Sequence, residues 1–139
     1  MKLTLSTRNR AGVVANLAGA GTRAQRAIRA LVGETAAKEH QRAFDLCPKR
    51  TGRMAEQLRV EFSEGGYAYE LGWHASDFPG AFYPLYQELG FRHAHTGQFI
   101  QNPCLFPARD EIRPEFRRAL AERLSAALRR SAKRGGASG

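Results

Sequence analysis

The spacing of apolar residues changes period twice along the chain, and this limits the folds open to it. Leu17, Gly21, Ala24, Ile28, Leu31 and Thr35 recur at intervals of four and three, which is one stripe of an amphipathic helix. Gly19, Gly21 and Gly33 weaken helix propensity, so the firm helix is expected from Thr22, a suitable N-cap, to Leu46. Pro48 stops it, because the residue before a proline is pushed out of the α region. The period then falls to two: Leu58, Val60 and Phe62 alternate with Arg59, Glu61 and Ser63. After a Glu64-Gly65-Gly66 turn, Tyr67, Tyr69, Leu71 and Trp73 alternate with Ala68, Glu70 and Gly72. This predicts an antiparallel hairpin. Phe116, Leu120, Leu124 and Leu128 restore a period of four and predict a last helix.

The segments between these stretches are shorter. Residues 3 to 7 alternate apolar and polar, as a short strand or an extended arm would. Asp77 to Gly80 end the hairpin, and Phe82 to Leu89 reads as a short helix. The polar stretch from Gly90 to Pro103 reads as a loop of about a dozen residues, long enough to carry function. Pro107 suits the first turn of the last helix, where Asp110 and Glu111 would sit well against the helix dipole. Pro114 would kink that helix, so its regular part is expected to begin there. The fold class is α+β: a long N-terminal helix, an antiparallel hairpin or small sheet, and a C-terminal helix packed on it. One domain spans 1–132, with 1–11 as the arm or strand, and 133–139 form a basic flexible tail.

Charge narrows the partners. Lys and Arg number 22 against 13 Asp and Glu, a formal charge of +9. The excess lies at the ends: +7 over residues 1–50, −4 over 51–112 and +6 over 113–139. That layout suits charged partners, either nucleic acid or copies of the same chain meeting opposite patches. Arg23, Arg26 and Arg29, with Arg8 and Arg10, could form a basic ridge. Arg117, Arg118, Arg129 and Arg130 add to the last helix, and these helix arginines are candidates for contact with DNA or with a neighbouring subunit. The aromatics Tyr67, Tyr69, Trp73, Phe78, Phe82, Tyr83 and Tyr86 read as the sheet face and its covering layer.

No enzyme constellation emerges. His93 and His95, with Cys104 or His74, lack the paired short spacing of structural metal sites and read as solvated loop histidines. Cys47 and Cys104 are too few and too far apart for a disulfide framework or zinc knuckle, and read as small core residues of a reduced, cytoplasmic protein. The carboxylates Glu56, Glu61, Glu64, Glu70, Asp77 and Glu88 are scattered. No Walker loop, dinucleotide fingerprint or nucleophile elbow occurs. The expectation is therefore no catalytic, cofactor-binding or metal-binding residue and no enzyme. No segment reads as a secretory signal or a membrane span.

Three segments, in order, carry a likeness. Cys47-Pro48-Lys49-Arg50-Thr51-Gly52-Arg53-Met54 follows the basic helix, Tyr83-Pro84-Leu85-Tyr86-Gln87-Glu88-Leu89-Gly90 follows the hairpin, and Asn102-Pro103-Cys104-Leu105-Phe106-Pro107-Ala108 opens the last helix. Together they resemble the small tailed-bacteriophage tail-component family of head-tail joining, neck and tail-completion proteins, over about residues 20 to 130. Met54, Pro84, Phe91 and Cys104-Leu105-Phe106 depart from the family pattern. The resemblance implies a structural virion protein of the tail or neck, a tail-completion or tail-terminator ring at the head-tail junction that passes through the host cytoplasm during assembly. It implies a homo-oligomeric ring, sixfold by family precedent, joining a head-completion or connector protein to a tail tube protein with DNA in the lumen. Pro48, Thr51, Gly52, Arg53, Tyr83, Glu88, Gly90, Pro103, Phe106 and Pro107 would then serve the family fold and assembly. In particular, Thr51 and Gly52 would turn the chain from helix to strand, Glu88 and Gly90 would close the aromatic segment, and Phe106 would anchor the last helix on the sheet. A small basic nucleic-acid-binding protein is the alternative, and a metal-dependent nuclease using His93 and His95 a second one.

Overall fold

Two long helices, α1 (Thr22–Leu46) and α4 (Leu105–Ala137), lie side by side over one face of a three-stranded antiparallel sheet. The computed structural model describes residues 4–10, 21–49 and 52–137. The sheet contains β1 (Thr4–Arg10), β2 (Arg59–Ser63) and β3 (Ala68–His74) in the order β1-β3-β2. Three smaller pieces complete the fold in chain order: helix α2 (Arg53–Gln57), helix α3 (Tyr83–Leu89), and a two-stranded arm of β4 (Phe91–Arg92) and β5 (Phe99–Ile100). The α+β class expected from the periods is the class observed.

Helix α1 buries Ala24, Ile28, Leu31, Val32, Thr35, Ala36, Glu39 and Ala43, the face that spacings of three and four align. Leu17 of the expected stripe lies outside the described residues. Gly21, not Thr22, occupies the N-cap, with φ 88 and no side-chain hydrogen bond, and Thr22 is the first helical residue. At the other end Cys47 is extended, and its N–H still reaches Ala43 O and Phe44 O, which is where Pro48 was expected to stop the helix.

The hairpin forms as its alternation predicts, with Val60 opposite Leu71 and Phe62 opposite Tyr69. Tyr69, Leu71 and Trp73 are buried beneath the helices with Ile28, Val32 and Leu105. Each such side chain contributes roughly 1.5–3 kcal/mol by leaving water. Phe62, at the outer end of β2, stays 55% exposed. Of the two forms expected for the first residues, Thr4–Arg10 takes that of a strand: all seven residues of β1 pair with β3, Thr7 opposite Leu71.

Helix α4 departs most from expectation. It begins at Leu105 and runs through Pro114, so the proline does not mark its start. Pro114 is exposed, so the carbonyl its missing N–H would have bonded can be met by water. Helical backbone continues to Ala137, through most of the stretch expected as a flexible tail. Phe116 is buried and Leu120 and Leu124 half-buried, whereas the side chain of Leu128 is outside the described residues. No described helix is long and apolar enough to cross a membrane.

Candidate functional site

The three segments that carry the family likeness meet at one end of the helix pair. Glu88, on α3, is 1% exposed and reaches the start of α4. Its Oε1 accepts the N–H of Cys104 at 3.1 Å and of Leu105 at 2.7 Å, and its Oε2 accepts that of Phe106 at 3.3 Å. A helix leaves its first N–H groups without internal partners and presents positive potential there. One carboxylate from another element satisfies three of them. Gln101 donates to Glu88 O at 2.9 Å, and Asn102 pairs with Gln87 through backbone (2.9 Å) and side chain (3.0 Å). From the first segment, Cys47 Sγ lies 3.1 Å from Cys104 Sγ.

Other members of these segments hold local structure. Gly52 has φ 72 as the N-cap of α2, a left-handed conformation that costs glycine little. Gly90 ends α3 with φ 90, and a Cβ there would stand 2.2 Å from the Phe99 ring. Arg53 donates to Asp77 O at 3.1 Å, with its guanidinium 5.7 Å from the Phe78 ring centroid. Pro48, Pro103 and Pro107 are half-buried. Thr51 and Arg50 lie outside the described residues. Phe106 is not the anchor of α4 on the sheet: it is half-buried beneath the Arg109 guanidinium, 4.9 Å from its ring centroid. Leu105, Ala108, Ile112 and Phe116 are the buried residues. Asp110 and Glu111 lie beyond the first turn and pair with Arg109 and Arg42, so the acidic partner of the helix N-terminus is Glu88.

The expected loop between Gly90 and Pro103 is a short hairpin arm, in which Phe91 pairs with Ile100 and Arg92 with Phe99. Around its root the surface is apolar. Tyr83, Tyr86 and Leu89, at intervals of three on α3, are 59%, 50% and 55% exposed, and Phe99 on β5 is 53% exposed. Tyr86 meets Phe91 edge to face, with centroids 6.4 Å apart. Aromatic and aliphatic groups exposed together are characteristic of contact surfaces. Leu89 and Phe99 were not singled out in the sequence, although the Tyr83, Tyr86, Leu89 spacing was there to be read. By contrast, Tyr69, Trp73, Phe78 and Phe82 are buried.

The arginines fall into two sets. Arg8 pairs with Glu64 (3.2 Å) and Glu70 (3.9 Å), Arg59 with Asp77 (2.6 Å), Arg42 with Glu111 (2.6 Å) and Arg123 with Glu34 (2.6 Å). Much of the acidic middle of the sequence thus meets basic residues of the same chain. Arg23, Arg26, Arg117 and Arg118 are exposed and make no ion pair among the described residues. Arg129 donates to Ser125 O, and Arg29 lies over Tyr67, 5.0 Å from its centroid. Of the expected ridge, Arg8 is engaged with Glu64 and Glu70, while Arg23, Arg26 and Arg29 stay exposed along α1; Arg26 and Arg29 fall on a different side of that helix from Glu34 and Arg42, which face α4. The side chains of Arg10 and Arg130 lie outside the described residues.

A buried polar cluster escaped the sequence reading. Glu39 is 2% exposed on α1. It accepts the Thr7 hydroxyl at 3.1 Å and a very short hydrogen bond from the Tyr69 hydroxyl, which itself accepts from Asn9 at 3.3 Å. Burial raises the Glu39 carboxyl above its ordinary range, partly opposed by these two donors and by Arg113 and Arg109. Burial and the carboxylate also push the Tyr69 phenol up. The clue was a carboxylate on the buried stripe, four residues from both Thr35 and Ala43.

The histidines do not converge. His74 meets Glu61 at 2.5 Å on the sheet, His93 and His95 lie with tilted rings on the exposed arm tip, centroids 5.7 Å apart, and Cys104 meets Cys47. Among the described residues no group of three metal-ligating side chains forms. Two small clefts, one over the sheet at Gly72 and one between α1 and α4 at Thr35 and Phe116, hold about 20 and 30 Å³, room for about a water molecule. Compared with protein-family models, curated proteins and solved structures, the chain finds no match.

Proposed function

We propose that this chain is a structural subunit of a tailed-phage virion, assembling into a ring at the head-tail junction as a tail-completion, tail-terminator or neck protein. The observation that carries this reading is the half-exposed apolar face of Tyr83, Tyr86, Leu89 and Phe99, part of it on one of the three segments that resemble the family. Such a face gains most from a protein neighbour. A head-to-tail contact between copies would bury it without demanding a self-complementary patch. The exposed arginines Arg23, Arg26, Arg117 and Arg118, which make no ion pair among the described residues, suit DNA in the lumen or an adjoining ring, and the role proposed is assembly rather than catalysis.

Light scattering coupled to size-exclusion chromatography, together with electron microscopy of virions, tests this. The expected outcome is the chain in purified particles as a ring at the neck. A Leu89→Asp variant should fold normally yet lose ring formation. Absence from particles would remove the reading. The second reading, a small basic nucleic-acid-binding protein, draws on exposed Arg23, Arg26, Arg117 and Arg118. It requires duplex affinity that falls steeply with salt, and a flat response removes it.

A further inference from the structure

We propose that Cys47 and Cys104 form an oxidisable dithiol pair, a covalent modification site at which a disulfide joins the end of α1 to the start of α4. They are the only two cysteines of the chain, both are free and buried, and 57 positions of sequence separate them. Their sulfurs nevertheless stand 3.1 Å apart, about 1 Å more than the length of a disulfide bond. Both backbones are fixed from outside the pair. The Cys47 N–H is donated to Ala43 O at 2.9 Å and Phe44 O at 3.3 Å, and the Cys104 N–H to Glu88 at 3.1 Å. Such a facing arrangement favours bond formation between the two sulfurs over reaction of either with a second chain.

The chemistry divides the roles. The hydrogen bond between the two sulfurs lowers the Cys47 thiol below its ordinary range against the effect of burial and Glu88, and Lys49 acts in the same direction as that bond. The same bond and burial push Cys104 up. Cys47, 4% exposed against 0% for Cys104, is also the sulfur an oxidant reaches first, and it is the attacking one. With hydrogen peroxide as oxidant, Cys47 sulfur attacks one peroxide oxygen, the O–O bond breaks, and the departing hydroxide takes a proton to become water. Cys104 sulfur then displaces hydroxide from the Cys47 sulfenic acid and gives up its own proton. An S–S bond forms, an S–O bond breaks and a second water leaves. Two thiols lose two electrons and two protons in all, and the peroxide is reduced to two waters. With Cys47 4% and Cys104 0% exposed, only a small oxidant reaches the pair. The resolving sulfur is already in place when it does.

The test treats the full chain with hydrogen peroxide, quenches, and unfolds it in an alkylating agent before intact-mass and peptide analysis. The expected product is a monomer lighter by about 2 Da that takes up no alkyl group and yields a linked Cys47–Cys104 peptide. Its melting temperature rises by on the order of 10 °C and returns on reduction. A Cys47→Ala, Cys104→Ala chain shows no such rise. Two alkylated thiols after oxidation, a stable sulfinic acid on Cys47, or disulfides between chains would each overturn the proposal. The measurements on the unaltered protein decide it even if the double variant folds poorly.

Discussion

Two buried carboxylates show how much one residue can organise. Glu88 binds three N–H groups of another element, and Glu88→Ala would leave those donors without their acceptor. A loss of about 3 kcal/mol is expected, read from urea unfolding, with Glu88→Gln recovering part of it through its remaining acceptor oxygen. Glu39 acts in the opposite sense. Its carboxyl is raised above the ordinary value of 4.5, so the folded chain holds this proton to higher pH than the unfolded chain. The stability tied to this proton is complete below that ordinary value and declines as pH rises through the raised one. Glu39→Gln removes the decline, so urea midpoints measured from about pH 4 to 8 should fall with pH less for the variant than for the natural chain. Glu39 was visible on the apolar stripe of α1. Its partners Thr7 and Tyr69 were not, because the meeting depends on how β1 and β3 register beneath the helix, which no local spacing records.

At the level of elements, legibility followed the length of the periodic run. Helix α1 and the β2–β3 hairpin show enough repeats for period to decide, and α1 lies at the predicted bounds. β1 was half seen, since its alternation fades into Arg8, Asn9 and Arg10 while its pairing continues to Arg10. Strands of two residues, such as β4 and β5, have no period to find. Helix α4 opens where Pro107 was expected in its first turn, but its regular part does not wait for Pro114, because the start is held by a carboxylate 17 residues before Leu105. Pro114 remains a local cost inside that helix. Pro114→Ala should therefore stabilise the chain by about 1–3 kcal/mol, seen as a higher melting temperature with unchanged oligomeric state.

Across the whole molecule, the basic, acidic, basic layout divides between internal and external use. Arg42 with Glu111 and Arg123 with Glu34 link the two long helices. Since each helix supplies one acid and one arginine, reversing either helix would set like charges against each other. Exposed pairs of this kind add little stability, but they discriminate between arrangements. The total of +9 therefore overstates any single phosphate-binding face, and segment sums could not reveal this because they contain no contacts. The arm between α3 and α4 has a related property. Both its ends are fastened, at Gly90 against Phe99 and at Asn102 against Gln87, while residues 93 to 98 between them stand exposed. Insertions at that tip would add only a slowly growing closure entropy and leave the helix start untouched. It is the place where related chains can vary in length, and so acquire different neighbours, without refolding the rest.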